Sequence, residues 1–310
     1  MSKNVFLFSG QGSQYKGMGQ ELCGLYPSIK LMYEQASDIL GFDLADKSWN
    51  AEEAELAQTV ISQPAIMMTS LAALEAMKQN GIEFSAVAGH SLGEYAAMVA
   101  SGVLSFEDGF KVIKARASAM QKAAENQKGG MCAIMGKEPA EIEEICASIG
   151  GYVVPVNYNS AAQTVIAGEA EAVDAAASKF SELAAKAIKL NVTAAFHSKL
   201  MQPAAEEFEA ALKAMNVTFN KPTVEFYSNL YGAVMPDFDN MPEKLAKHIV
   251  SPVRFTSELA ALQNAGYENF VELGPNKVLT GLVKKTLKGV NSMNVENEKT
   301  LEKALEALKA

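Results

Sequence analysis

The sequence contains few cysteines and few histidines, and this scarcity argues against several kinds of site. Among its 310 residues are three cysteines and three histidines. Cys23, Cys132 and Cys146 lie far apart without a Cys-x-x-Cys spacing, so we expect free thiols in a reducing compartment rather than disulfides. Three dispersed histidines supply no ligand cluster, and we therefore expect no metal site.

The chain also has no excess of positive charge and no long apolar run. Its 27 Lys and Arg residues against 36 Asp and Glu residues give a net charge of −9, which argues against nucleic acid as the main partner. No uninterrupted apolar stretch reaches the roughly 18 residues that a membrane span needs. No basic, apolar leader precedes the first predicted strand at Val5. We therefore expect a cytoplasmic protein that neither crosses nor binds a membrane.

The order of the predicted elements indicates an α/β fold with an insertion. Strands and helices alternate over the first 125 residues, as in a parallel sheet covered by helices. A β-α-β-β-α-β order follows, typical of a ferredoxin-like unit. We predict a large, α/β-hydrolase-like domain with a parallel sheet core over residues 1–127 and 197–310, and an inserted ferredoxin-like subdomain over residues 128–196.

The individual elements are predicted from apolar periodicity and from helix start and stop signals. Strands are expected near residues 5–9, 86–88, 131–135, 152–158, 164–167, 187–192 and 270–275. Helices are expected near residues 20–40, 63–80, 92–100, 106–124, 139–148, 171–184 and 300–310, with Pro64 in the first turn of the second of these. From His197 onward the pattern returns to longer helices.

The most informative segment is Gly89-His90-Ser91-Leu92-Gly93-Glu94, which lies between a predicted strand and a predicted helix. A G-x-S-x-G pattern in this setting places a serine on a sharp strand-to-helix turn, with its hydroxyl exposed and a helix N-terminus behind it. The two glycines allow the tight turn and the close packing of the helix on the strand. The pattern predicts that Ser91 is a nucleophile.

A nucleophilic serine needs a base, and histidine is the usual one. His90 is the immediate neighbour of the serine, and residues adjacent in a tight turn point in different directions. His197 lies where the inserted subdomain returns to the large domain, and His248 lies at a helix end before Pro252. Spacing alone does not decide between these two.

Several segments in order resemble one enzyme family over essentially the whole chain. They are Phe8-Ser9-Gly10-Gln11-Gly12-Ser13-Gln14, the serine segment above, Arg116, Asn157-Tyr158-Asn159-Ser160, Phe196-His197-Ser198 and Gly274-Pro275. The sequence resembles the malonyl-CoA:acyl carrier protein transacylases of bacterial fatty-acid synthesis. It is also similar to the acyltransferase domains of polyketide synthases.

The resemblance implies a ping-pong transfer of a malonyl group from malonyl-CoA to acyl carrier protein, by a protein that is usually monomeric and needs no cofactor. Ser91 is then the nucleophile and His197 the base. The backbone amides of Gln11 and Leu92 form the oxyanion hole. Arg116 binds the malonate carboxylate through its planar guanidinium.

The resemblance also assigns residues around the substrate. Phe196 stands where polyketide acyltransferases that select malonyl over methylmalonyl carry the same residue, and Asn157 and Asn159 line the channel for CoA and pantetheine. His248 stands where many relatives have glutamine. In the family the backbone carbonyl at this position accepts a hydrogen bond from the catalytic histidine, and a carbonyl does not depend on the side chain.

Two other functions fit parts of the same pattern. A serine hydrolase or thioesterase of the α/β-hydrolase type would need an acid such as Asp174 acting with His248. A non-catalytic module that only binds carrier protein would need none of Ser91, His197, Arg116 or the Gln11 loop.

Overall fold

The structure, a computed structural model, describes residues 3–192 and 194–309. Residues 1, 2 and 310, at the ends of the predicted large domain and tail helix, and residue 193, in the predicted insertion, lie outside the described residues. The strands are β1 Asn4–Phe8, β2 Ala86–Gly89, β3 Gly129–Met135, β4 Val153–Ser160, β5 Gln163–Glu169, β6 Lys186–Lys189, β7 Glu225–Ser228, β8 Ala233–Val234, β9 Asn269–Leu273 and β10 Asn291–Val295.

Helices pack around these strands and connect them. They are α1 Gln20–Leu25, α2 Pro27–Leu40, α3 Leu44–Trp49, α4 Glu53–Leu56, α5 Thr59–Gln79, α6 Gly93–Ala100, α7 Phe106–Glu125, α8 Pro139–Ser148, α9 Ala170–Glu182, α10 Gln202–Met215, α11 Met241–Ile249, α12 Phe255–Asn264, α13 Val278–Thr286 and α14 Glu298–Lys309.

The larger sheet has the strand order β10-β9-β1-β2-β7-β8, and all pairs except β7 with β8 are parallel. Alternate residues of β1 enter two different cores: Phe6 and Phe8 on one face, Val5 and Leu7 on the other. A parallel sheet covered on both faces needs such continuous apolar strands. The predicted α/β class with a parallel sheet core is confirmed.

The smaller sheet is antiparallel and has the order β4-β5-β3-β6. One of its faces packs against α8 and α9, and the other turns its side chains towards Ala195, Phe196 and Leu200. This is the predicted arrangement of two helices on one face of a separate antiparallel sheet. The strands of this sheet run from residue 129 to residue 189, while the predicted boundaries at 128 and 196 stay predictions.

Two helix predictions were wrong in their limits, and each involves a proline. The predicted helix over 20–40 is divided, because Tyr26 takes an extended conformation before Pro27, as residues before proline generally do. α5 begins at Thr59, so Pro64 lies inside the helix rather than in its first turn. Ile61 and Ser62 already donate to the Gln58 carbonyl, so the helix has begun before Pro64, which has no N–H to donate to the Val60 carbonyl four residues earlier.

α5 is also the one helix among the described residues that is long and apolar enough to cross a membrane by length and composition. Its most apolar window is 89% buried inside the fold. A helix that is apolar all round is expected where other elements surround it, and α5 packs against α7, α6 and β9. It is the central helix of the larger domain.

After residue 197 the prediction of longer helices was incomplete, because β7, β8 and β10 lie there as well. β7 has four residues, β8 has two, and β10 reads Asn-Ser-Met-Asn-Val, which lacks the apolar run of a buried strand. Short strands of this kind give little periodicity to detect.

Candidate active site

The serine predicted as nucleophile lies on the turn between β2 and α6. Its φ is +54°, a left-handed conformation that costs a non-glycine residue about 1–3 kcal/mol. A Cβ at Gly89 would overlap the backbone of Gly93, and a Cβ at Gly93 would overlap the Phe8 carbonyl of the neighbouring strand. Both glycines are therefore required by the close approach of α6 to β1 and β2.

His197 is brought against this serine from the junction between the two sheets. Its Nε2 lies 2.7 Å from Ser91 Oγ, and its Nδ1 lies 3.1 Å from the backbone carbonyl oxygens of both His248 and Ser251. Carbonyl oxygens only accept, so Nδ1 carries the proton and Nε2 is free to accept from the serine hydroxyl. Burial, with the nearby Arg116 charge, lowers the pKa of His197 to about 3, which keeps the ring neutral near pH 7.

Arg116, on α7, is fully buried and points at the same serine. Its Nη2 donates to Ser91 Oγ at 3.1 Å, and its guanidinium lies over the Tyr95 ring at 5.1 Å from the centroid. Its Nε and Nη1 are both buried and have no hydrogen-bond partner among residues 3–192 and 194–309. Unpaired buried donors on a charged group are costly, so this guanidinium is arranged to bind an acceptor beside the nucleophile.

The two amides predicted to form an oxyanion hole are both available as donors. Within the described residues, neither the Gln11 nor the Leu92 backbone N–H donates a hydrogen bond. The Gln11 loop passes close to the nucleophile turn, since a Cβ at Gly10 would lie 2.8 Å from the His90 carbonyl oxygen. Leu92 immediately precedes α6, whose N-terminus favours negative charge.

The residues predicted to lie along the substrate channel come from the junction between the sheets. Asn159 Oδ1 lies 2.8 Å from His90 Nε2, which joins β4 to the nucleophile turn. Asn157 pairs through its backbone with Val253, and its Oδ1 is buried without a partner in the part of the chain that the structure describes. Phe196 is half-buried and packs against both the large-domain core and the small sheet. Their roles stay predictions.

His248 lies behind His197 rather than beside the serine. Its ring is buried, and the centroids of the His248 and His197 rings are 5.3 Å apart. Its Nδ1 lies 3.1 Å from Glu94 Oε2, but the two groups are not aligned as in a hydrogen bond. Burial and the neighbouring His197 and Arg116 hold its pKa well below the ordinary histidine value. The acid considered for a hydrolase, Asp174, lies on α9 and pairs with Lys189, so it does not meet His248.

Three polar residues beneath the serine turn were not found by sequence reasoning. Asn229, Glu94 and Glu258 are all buried, and each of the two carboxyl groups accepts a hydrogen bond from Asn229. Burial raises the pKa of Glu94 to about 7, opposed by the Asn229 amide, and raises that of Glu258 well above the ordinary value. Only Glu94 had a signal, its place at the end of the G-x-S-x-G segment.

No group of three or more possible metal ligands occurs within residues 3–192 and 194–309. In the same residues the three cysteines are unpaired, with Cys132 and Cys146 buried. Within the described residues, the side chains that hydrogen-bond to Ser91 Oγ are those of His197 and Arg116.

Comparison with known proteins matches residues 5–302 to the acyl transferase domain family. The malonyl CoA-acyl carrier protein transacylase of Bacillus subtilis strain 168 is 39% identical over 313 residues, covering 100% of this chain and 98% of that protein. The crystal structure of the malonyl CoA-acyl carrier protein transacylase from Clostridium perfringens has a TM-score of 0.94 at 39% identity, covering 99% of this chain and 98% of that one. A malonyl-transacylase solved in complex with its type II PKS acyl-carrier protein has a TM-score of 0.93 at 34% identity, covering 99% of this chain and 100% of that one.

Proposed function

This chain belongs to the acyl transferase domain family, and we propose that it transfers the malonyl group of malonyl-CoA to the phosphopantetheine thiol of acyl carrier protein through an ester on Ser91. Relatives that match it over their full length carry the name of this activity, and one of them is complexed with its acyl-carrier protein. Among this chain's own residues, the observation that carries the proposal is the buried Arg116 guanidinium beside Ser91.

Arg116 supports an acyl group that ends in a carboxylate. A guanidinium that is 0% exposed has lost its hydration, and two of its nitrogens lack partners while a third contacts Ser91 Oγ at 3.1 Å. A carboxylate two carbons from the reacting thioester carbonyl can accept two parallel N–H bonds along one edge of this guanidinium, one from an unpartnered nitrogen and one from the second N–H of Nη2. An acetyl group would leave the charge unpaired, and sites built this way reject such analogues strongly.

The first half-reaction forms the ester. Ser91 Oγ attacks the thioester carbonyl carbon while His197 Nε2, 2.7 Å away, takes the hydroxyl proton. The oxyanion that develops is held by the Gln11 and Leu92 amides, each worth about 2.7–4 kcal/mol in comparable sites. When the carbon–sulfur bond breaks, His197 returns the proton to the CoA sulfur, which leaves as the thiol.

The second half-reaction repeats the same steps with a different thiol. His197 takes the proton from the phosphopantetheine thiol of acyl carrier protein, and the sulfur attacks the malonyl-serine carbonyl. The tetrahedral intermediate collapses with release of Ser91 Oγ, which recovers its proton from His197. The His248 and Ser251 carbonyls accept from Nδ1–H throughout and stabilise the imidazolium that forms in each half.

We further propose that Asn157 and Asn159 line the channel for the pantetheine arm and that the Phe196 ring crowds a methyl branch at C2 of the acyl group. Their position at the junction between the two sheets supports this, since ligand clefts form preferentially at such junctions. The chemistry requires no cofactor. The unpaired cysteines are in keeping with a cytoplasmic protein, and monomeric action is proposed from the family.

The proposal is tested by intact-mass measurement after mixing the protein with malonyl-CoA. We expect the protein to gain one malonyl group, and Ser91→Ala to gain none. Adding acyl carrier protein should discharge the ester onto the carrier faster than water hydrolyses it. An adduct that forms equally on Ser91→Ala, or one that only water removes, would overturn the proposal.

A further inference from the structure

Asn229 lies immediately after β7, fully buried beneath the nucleophile turn. Its side-chain Oδ1 accepts from the backbone N–H of Ser91 at 2.7 Å, and its Nδ2 donates to the Gly89 carbonyl at 2.7 Å. One carboxamide therefore joins the last residue of β2 to the serine two positions later. It bridges the two sides of the turn.

Asn229 is itself held by two buried carboxyl groups, one bonded to its carboxamide and one to its backbone N–H. Nδ2 also donates to Glu258 Oε1 at 2.6 Å, and the backbone N–H of Asn229 donates to Glu94 Oε1 at 2.6 Å. Glu94 comes from α6 and Glu258 from α12, so two separate helices fix the position of Asn229. Each bond involves a buried carboxyl group, and hydrogen bonds are stronger in such a low-dielectric setting than in water.

The bond to Ser91 also decides which amides remain for the substrate. The Ser91 N–H is occupied by Asn229, so it cannot donate to an oxyanion. The Leu92 N–H is the next amide along the turn, and it makes no hydrogen bond within the described residues. The contact with Asn229 thus holds Ser91 in its left-handed conformation, and the neighbouring Leu92 N–H remains available to the substrate.

We propose that Asn229 is a positioning residue for acyl transfer, whose carboxamide holds the turn so that Ser91 Oγ stays against His197 and the Leu92 amide faces the reacting carbonyl. This rests on the proposed function, since it requires Ser91 to be the nucleophile. An amide is suited to the role because it accepts at one atom and donates at the other. Alanine offers neither, and an ionised aspartate offers only acceptors.

The test compares Asn229→Ala and Asn229→Asp with the wild-type enzyme in single-turnover acylation by malonyl-CoA. Asn80→Ala is the matched control, because Asn80 Nδ2 donates to Tyr26 Oη and the Ala76 carbonyl and contacts no residue of the site. Displacement of a reacting group by about 1 Å can cost roughly 100-fold. We expect Asn229→Ala to slow acylation about 10- to 100-fold per folded molecule, with KM for malonyl-CoA and the preference for malonyl over acetyl unchanged.

Asn229→Asp keeps the shape of the side chain and adds a second measurement, the pH dependence of the acylation rate, which a purely structural role would not change. The new carboxyl group would face Glu94 and Glu258, with His248 and Arg116 next to Glu94, so burial and its two carboxyl neighbours raise its pKa. Its protonated form can donate again. We therefore expect the ratio of variant to wild-type acylation rates to rise several-fold as the pH falls from 8 to 5.5.

The outcomes are distinguishable. Acylation of Asn229→Ala within twofold of wild type, or a loss that appears in KM or in acyl preference, overturns the positioning role. A pH-independent rate ratio for Asn229→Asp also overturns it, and this variant remains available if Asn229→Ala does not fold. Absence of a malonyl adduct on the wild-type enzyme would instead refute the proposed function.

Discussion

Removing the Arg116 guanidinium tests most directly why this site handles a malonyl group. In the structure the side chain is 0% exposed, contacts Ser91 Oγ through Nη2, and leaves Nε and Nη1 without partners. Arg116→Ala takes away both unpaired donors and the charge. It leaves the contact between Ser91 and His197 in place, because the 2.7 Å Oγ–Nε2 bond does not pass through the arginine.

The expected loss follows from the bonds that a carboxylate would make. A hydrogen bond to a charged group contributes about 1.5–3 kcal/mol, so two such bonds contribute about 3–6 kcal/mol. With tenfold per 1.36 kcal/mol, kcat/KM for malonyl-CoA should fall by roughly 10²–10⁴. An acetyl group makes neither bond, and removal of the buried charge relieves the penalty for leaving it unpaired. Acetyl transfer should therefore be unchanged or faster.

The assay is competition between malonyl-CoA and acetyl-CoA for the enzyme, with the acyl-enzymes distinguished by intact mass. Arg116→Lys should recover only part of the preference, because an ammonium cannot form the two-pronged contact. Lys114→Ala on the same helix is the charge control, since Lys114 is exposed and donates only to the Ile39 carbonyl. Unchanged discrimination in Arg116→Ala, with normal acylation, would refute the reasoning.

Three further predictions concern the base and the turn. His197→Ala should lower kcat by at least about 100-fold, the usual scale of general base catalysis. His248→Gln should retain near-normal kcat, because the backbone carbonyl that accepts from His197 is kept. The reverse order of the two variants in steady-state assays would contradict the choice of base. Burial lowers the pKa of His197 to about 3, so the base stays neutral and the acylation rate measured from pH 8 to 5 should not fall with a midpoint near pH 6.5. The pKa of Glu94, about 7, also lies in this range, so the same profile is recorded for Glu94→Gln. A midpoint near pH 6.5 that persists in this variant would contradict a buried neutral base. Gly93→Ala should lower the free energy of unfolding by about 3 kcal/mol or more in urea titrations, because the added Cβ would overlap the Phe8 carbonyl. Gly281→Ala is the control: its Cβ would enter open space within α13, so this change should be neutral or stabilise by about 0.5–1 kcal/mol.

Of the groups at the reaction centre, only Ser91 lies in a segment with a local signal of its own, whereas Arg116 was assigned through the resemblance to a family. Ser91 stands in a glycine-flanked turn, and these glycines are required by backbone overlaps that the structure makes explicit. His197 and His248 could not be separated by spacing alone, and the resemblance to a family was needed. The structure brings His197 Nε2 to the serine, whereas His248 lies behind the base and offers it a backbone carbonyl.

The fold could be predicted where strands are apolar on both faces and failed where they are short or polar. β1 consists of Asn4 followed by four buried apolar residues, whereas β10 has a single buried residue, Val295. Edge strands such as β10 and β8 pair on one side only, so little of their sequence is constrained by burial. Their omission left the large sheet incomplete in the prediction but did not change its class.

Asn229 was missed for a related reason, because it follows the short strand β7. The pairing of β7 with β2 shows how its position could have been found. β7 is the parallel neighbour of β2, with Ala86 opposite Glu225 and Val87 opposite Phe226. Continuing this register places Asn229 beside the residue that follows β2, where the serine turn begins. Because the carboxyl ends of parallel strands meet at one edge of a sheet, a polar residue directly after β7 is a candidate partner for that turn. Once β7 is identified as a strand, its first following residue becomes the position to test, and the order of the strands rather than any local motif carries that information.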